Sequence, residues 1–293
     1  MINYKRHKEI DFKKWDNCIE SAINRNIYAT TWYLDLVCKN WDALILNDYE
    51  AVMPLPWNKK WGVKYIAQPM FCQQLGVFHH SKKLDVDDFI KSIPKSFLYV
   101  NMNLNTLNGK SKFSVKENTN YELLLKDHDT LRKGYSKSHL KNLRRATRHE
   151  LVIANPCDTA DEFSKSKRNL ALDFMTSKQF ELEHDIVQTS LAFSKGEIFS
   201  VEGNDGICCS VFVLCGSKRL FLLSSYSNEE SRKKGAYFFL LDYIFSLERF
   251  KGYVFDFEGS NLDGVAQIND GFGAELTKYH TVKFNFLNRF FRF

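Results

Sequence analysis

The sequence predicts an α/β chain of the α+β kind, built from two similar domains in tandem, each a mixed and mostly antiparallel sheet flanked by helices. Three observations predict it. A chain of 293 residues holds about two domains of typical size. Helical and alternating apolar patterns succeed one another along its whole length. A helix followed by the hairpin pattern Asp42 to Val52 is echoed by a helix followed by Glu197 to Ile207, at an offset close to one domain. The boundary is expected near Gly109, giving domains 1–108 and 109–293.

In chain order, Ile2 to Arg6 reads as a strand, and Asp11 to Ser21 as a helix with Phe12, Trp15 and Ile19 at helical spacing. Thr30 to Cys38 is a second, short helix. Two strands, Asp42 to Leu46 and Tyr49 to Leu55, flank the hairpin-turn pair Asn47-Asp48. Lys64 to Phe78 mixes strand and loop, Pro94 stops a helix over Leu84 to Ile93, and Phe97 to Asn101 is a strand. Beyond Gly109, Phe113 to Lys126 alternates like paired strands, and Asp129 or Thr130 can cap a helix that carries a basic run. Leu151 to Asn155 reads as a strand, Asp158 to Met175 and Leu182 to Phe193 as helices. Three consecutive strands follow, Glu197 to Glu202, Ile207 to Cys215 and Arg219 to Ser225, joined by Gly203-Asn204-Asp205-Gly206 and Gly216-Ser217-Lys218 turns. An apolar helix from Gly235 then leads to the strand Tyr253 to Glu258.

Aromatic residues make up 15% of the chain, and most of the 25 Phe sit in alternating or helical patterns that read as core. No apolar run reaches the ~18 residues of a membrane helix, and no apolar segment follows the basic N-terminus, so a cytoplasmic protein is expected. Seven scattered cysteines (Cys18, Cys38, Cys72, Cys157, Cys208, Cys209 and Cys215) without a CxxC pair read as free thiols, not as a disulfide framework or zinc site. His79-His80 has no third ligand in view and no GxSxG elbow occurs, which disfavours metal and serine-hydrolase chemistry.

The net charge of +6 is local: seven cations and no acid lie between Arg132 and Arg148. At helical spacing, Lys137, Lys141, Arg144, Arg145 and Arg148 form a stripe beside the side bearing Leu140, Leu143, Thr147 and Leu151. Three readings stand for it: a solvated face, a site for a phosphate-bearing acceptor or a tRNA, and contact with an anionic membrane surface. The aromatic, arginine-bearing tail Phe284 to Phe293 lends some weight to the third. The segment Arg232-Lys233-Lys234-Gly235-Ala236 reads as a helix start, where free N–H groups and the helix dipole favour an anion and Gly235 would let a pyrophosphate approach the backbone. Its plainer reading is helix packing at Gly235 with solvated lysines.

Three strands, a loop, a helix opening Arg-Lys-Lys-Gly-Ala and a strand ending in Glu258 resemble the GNAT acyltransferase fold. A closer resemblance is to the Fem-type branch, the peptidoglycan-bridge aminoacyltransferases (FemABX-like), which carry two GNAT domains in tandem. It rests on Ser136 to Ala146, on Lys234-Gly235-Ala236, and on Phe255-Asp256-Phe257-Glu258-Gly259-Ser260 leading to Gly271-Phe272-Gly273-Ala274. The resemblance implies an N-acyltransferase acting on an amine acceptor, either a small molecule or a cell-wall precursor. Its donor would be an acyl-CoA, with pantetheine along Ser224 and Ser225 and pyrophosphate at Arg232, Lys233, Lys234, Gly235 and Ala236, or an aminoacyl-tRNA. Two departures are visible: Tyr237 stands where the family loop ends in Gly or Ala, and 158–193 is too short for the helical arm of many tRNA users. Of the candidate catalytic residues, Glu258 would contact or deprotonate the amine, Tyr226 would protonate the leaving group, and Asp256, one step deeper, would support them. The rival from another class is a non-catalytic GNAT-like module that binds an anionic ligand through the basic helix.

Overall fold

A computed structural model describes residues 1–80, 84–154, 159–169, 175–203, 206–259 and 263–286. They gather into two compact units, Met1–Thr119 with the stretch from Thr277 onward, and Asn120–Leu276.

Unit 1 begins with β1 (Ile2–Lys5), α1 (Phe12–Ser21), α2 (Thr31–Val37), β2 (Trp41–Leu46) and β3 (Ala51–Lys60). It continues through β4 (Val63–Ala67), β5 (Phe78–His79), α3 (Val86–Lys91), β6 (Phe97–Asn103) and the first half of β7 (Ser114–Leu124). Asp11 caps α1 by accepting from the Lys14 N–H at 3.1 Å, which meets one of the helix's orphan donors. Strand β3 is longer than expected: it passes Leu55 and turns at Trp61-Gly62 into β4, with Lys60 paired to Val63. Trp15, Trp41, Phe78 and Phe97 are fully buried in this unit.

Unit 2 holds the rest of β7, then α4 (His128–Lys133), α5 (Lys137–Arg148), β8 (Val152–Ile153), α6 (Ala160–Asn169) and α7 (Ser177–Ala192). Strands β9 (Gly196–Gly203), β10 (Gly206–Gly216) and β11 (Arg219–Ser227) follow, then α8 (Glu229–Lys234), α9 (Ala236–Ser246), β12 (Val254–Asp256) and α10 (Asp263–Gly271). The last strand, β13 (Glu275–Asn285), returns to unit 1 and pairs antiparallel with β6, Thr281 opposite Asn103. The unit boundary thus falls at Thr119 inside β7, and β13 belongs with the first unit, where the sequence places Gly109 and a contiguous second domain.

Two local expectations are corrected. Phe113 to Lys126 is one strand, its alternation reflecting two different faces and not a pair. The basic run is two helices: Asp127 caps α4 through the Thr130 N–H, and Ser136 caps α5 through the His139 N–H.

The strands of unit 2 run in the order β7-β12-β11-β10-β9-β8, and only β11 and β12 are parallel. One face carries Phe199, Val201, Cys209, Val211, Val213, Leu220 and Phe255 against Leu143 of α5 and Leu240 and Ile244 of α9. Phe245, Phe255, Phe257 and Phe272 pack edge to face and stacked within that core. Truncating a ring as buried as Phe255 to alanine costs about 3–5 kcal/mol. The opposite face is covered by α6 and α7, with Phe163 against Phe212 and Tyr226. The free thiols are buried or half-buried, and burial pushes Cys18 up to about 11 and Cys38 up to about 12. Cys157, Asn204, Asp205, Ser260 and the tail from Leu287 lie outside the described residues.

Candidate active site

The site is built on a fault in β11. Phe212 of β10 pairs with Ser224 and Val213 with Leu222, so Leu223 is an extra residue, a β-bulge. Before it, Leu220 and Leu222 face the α9 core; after it, Ser224 and Tyr226 face α6 and α7. On its other edge β11 pairs with β12 only from Arg219 to Phe221, because β12 ends at Asp256 while β11 runs on to Ser227. From Leu222 onward β11 has no strand partner on this edge among the described residues.

On the α6/α7 face beside this edge lies a buried polar cluster that the sequence reading does not contain. Lys167 of α6 and Glu183 of α7 are 4% and 1% exposed, and their charged atoms are 2.5 Å apart. The Lys167 ammonium also donates to Ser224 Oγ at 2.7 Å. Glu183 Oε2, and on the same two helices Ser164 Oγ and Ser190 Oγ, are buried without a hydrogen-bond partner among the described residues. Burying an ion pair seldom adds stability, so a pair kept with an unsatisfied oxygen calls for a chemical reason. One residue along, Tyr226 Oη accepts from Ser210 Oγ at 2.9 Å, and Ser210 in turn accepts from Ser200 at 2.7 Å. Ser225 lies on the exposed side of the strand.

A second polar group sits at the end of β12. Arg219 donates to Asp256 Oδ2 at 2.6 Å and to Glu122 Oε2 at 3.0 Å. Asp256 Oδ1 accepts from Asn120 Nδ2 at 3.0 Å and from the Glu258 N–H at 2.9 Å. Burial raises the Asp256 carboxyl above the usual carboxylate range, and Arg219 offsets part of that rise. Asp256 is therefore committed to the scaffold: it anchors Arg219 and fixes the turn after β12. In that turn Glu258 takes a φ of +60°, uncommon for a non-glycine residue. Strand alternation does not reach Glu258, which lies past the end of β12.

The basic segment differs from its expected setting. Arg232, Lys233 and Lys234 occupy the last turn of α8 and not a helix start, and Lys233 and Lys234 pair with Glu229 and Glu230 one turn back. Gly235, with a φ of +82°, separates α8 from α9. A Cβ there would stand 2.6 Å from the Asn142 carbonyl oxygen of α5, so this glycine is required by helix packing. Ala236 is fully buried. The first turn of α8, directly after β11, carries Glu229 and Glu230, which oppose an anion at that helix start.

In the stripe on α5, Arg145 is half-buried and donates to the Lys233 carbonyl at 3.0 Å, capping the end of α8. Lys137, Lys141, Arg144 and Arg148 are exposed and form no ion pair among the described residues. His139, on the inner side, is held by Ser136 Oγ and by the Ile268 carbonyl and is packed edge-on against Phe238 and Phe272. The structure thus brings Ser224 and Tyr226 together on one face and Asp256 and Glu258 in one turn, while the α5 stripe and the α8 basic turn meet each other through Arg145 and the Lys233 carbonyl. The bulge is what the sequence hides: simple alternation along β11 places Ser224 with Leu222 in the core.

No family model and no curated protein matches this sequence. Solved structures do. A structure of FemX aligns at a TM-score of 0.68 with 12% identity, covering 97% of this chain and 98% of that one. A structure of L-PGS from Bacillus licheniformis aligns at 0.58 with 11% identity, over 92% and 90% of the two chains. A tandem GNAT protein from the clavulanic acid biosynthesis pathway aligns at 0.52 with 10% identity, over 97% and 98%. At these identities the likeness is one of fold: the chain has the Fem-like tandem GNAT fold that the sequence predicts.

Proposed function

We propose that this Fem-like tandem GNAT chain transfers an acyl or aminoacyl group to an amine, and that the reaction runs on unit 2 where β11 runs on beyond β12. The observation that carries the reading is the bulge at Leu223, which turns Ser224 and Tyr226 toward the buried Lys167–Glu183 pair at the point where the strand edge loses its partner. The chemistry needs a deprotonated amine, a stabilised oxyanion and a proton for the departing group. In this reading the Glu258 carboxylate takes the amine proton and a C–N bond forms to the donor carbonyl. The Lys167 ammonium, held by Glu183 and Ser224, faces the oxyanion. Collapse breaks the bond to the leaving oxygen or sulfur, which Tyr226 protonates.

Of the two donors, the charged tRNA is favoured by Glu229 and Glu230 at the start of α8, by the packed Gly235, and by the exposed cations of α5. An acyl-CoA pyrophosphate, expected at Arg232 to Ala236, would meet Lys233 and Lys234 already paired with Glu229 and Glu230, and Gly235 packed on Asn142. The test pairs thermal melts with acetyl-CoA, free coenzyme A and an aminoacyl-tRNA pool against turnover of Glu258→Gln. Stabilisation by the RNA alone, with turnover lost in Glu258→Gln, is the expected result. A melt raised by coenzyme A overturns the donor, and unchanged turnover removes Glu258 from the mechanism.

A further inference from the structure

The hairpin joining β3 to β4 carries a tryptophan at its tip. Lys60 pairs with Val63, so the loop is the two residues Trp61-Gly62, and both have positive φ, +49° and +83°. That is the type I′ arrangement matched to strand twist, and its first position ordinarily takes Asn, Asp or Gly. A bulky side chain there is a backbone outlier of the kind that gathers at functional sites. Trp61 is 92% exposed, and a Cβ added to Gly62 would meet nothing within 4 Å, so the tip stands clear of the protein around it.

Three lysines share the hairpin: Lys59 and Lys60 are exposed, whereas the Lys64 ammonium lies 4.0 Å from the centre of the Trp57 ring. The register sets Lys59 directly opposite Lys64, a like-charge pair that works against the hairpin. None of Lys59, Lys60 and Lys64 forms an ion pair among the described residues. The Lys60 ammonium lies 4.7 Å from the centre of the Trp61 ring, and Val63 beside it is 40% exposed. Trp61 and Val63 present an apolar point flanked by the exposed cations Lys59 and Lys60.

We propose that this hairpin docks the protein on an anionic membrane surface, with Trp61 and Val63 entering the interface and Lys59 and Lys60 meeting lipid phosphates. Indole rings settle at the headgroup level, and lysines are drawn to an anionic leaflet. The strained turn and the opposed lysines are both unfavourable in water, and both become useful against such a surface. A single-stranded RNA fits less well: Lys60 covers one face of the indole, and Val63 offers no ring on which a base could stack. The hairpin belongs to unit 1, so the proposal stands apart from the acyl-transfer reading.

Co-sedimentation of the full chain with phosphatidylglycerol–phosphatidylcholine vesicles, and with phosphatidylcholine alone, tests it. Binding to the anionic vesicles only, weakened by salt, is expected. Trp61→Ala should weaken it about tenfold or more, and each of Lys59→Ala and Lys60→Ala about fivefold. The thermal melt of Trp61→Ala should match that of the parent, because the side chain touches little. Equal vesicle binding by Trp61→Ala, no association with anionic vesicles, or Trp61-dependent binding to a single-stranded RNA oligonucleotide in their place would each overturn the proposal.

Discussion

Lys167 reaches across from α6 to donate a 2.7 Å hydrogen bond to Ser224, the first residue beyond the bulge in β11. The contact joins a helix to a strand position whose facing the bulge has inverted, and so it reports on both.

Its partner Glu183 makes the pair unforgiving to single changes. Lys167→Met strands a buried carboxylate and should lower stability by about 3–5 kcal/mol, whereas Lys167→Met with Glu183→Leu should come close to neutral. Urea denaturation measures both. Transfer activity should be absent in the double variant despite its intact fold, and a fully active double variant would leave the pair without a chemical role.

Gly235 gives a second test. Alanine at a φ of +82°, with its Cβ 2.6 Å from the Asn142 oxygen, should cost more than about 1 kcal/mol without any ligand present. A glycine kept only for a phosphate would instead show an unchanged melt and weakened ligand binding.

Acid should loosen unit 2 through His139. Burial holds its pKa below the usual 6.5, and the bond to the Ile268 carbonyl and the nearby Asp270 offset only part of that. The neutral form is the one the fold favours, so this contribution is present above pH 6.5 and is lost as the pH falls through the lowered value. Chemical denaturation of the parent from pH 8 to pH 5 should show the decline, and His139→Gln should flatten it.

Charge reversal on α5 separates binding from folding. Lys141→Glu and Arg144→Glu alter exposed side chains, so stability should move by no more than about 0.5 kcal/mol. Affinity for tRNA should fall and its dependence on salt should become shallower, as measured by filter binding across salt concentrations. Arg145→Glu should differ, because that guanidinium caps α8 and its loss also lowers the melt.

The order of elements in unit 2 was legible because the meander from Glu197 to Ser225 and the apolar helix after it have strong periods and clear turns. Other features were not. The bulge at Leu223 leaves no mark in composition, since Leu-Leu-Ser-Ser reads equally well in either register, and the face of Ser224 and Tyr226 is fixed only by pairing with Phe212. Lys167 and Glu183 sit on amphipathic helices where charged residues usually face water, and nothing local reveals that these two turn inward. Gly235 illustrates a third kind of loss: its need is set by the Asn142 carbonyl on another helix. In unit 1 the second half of β3 was hidden by Pro54, Pro56 and the run Asn58-Lys59-Lys60, which together read as loop.

Strand β13 lies beside β6, so unit 1 draws its residues from both ends of the chain while unit 2 is one uninterrupted segment. As the chain leaves the ribosome, Asn120–Leu276 is complete before Thr277–Asn285 has emerged. The second unit can therefore close first, and until then the β6 edge of the first unit waits with open hydrogen-bonding groups, the kind of edge that invites pairing with another chain. Nascent chains halted before Thr277 should be the form of this protein most in need of a chaperone.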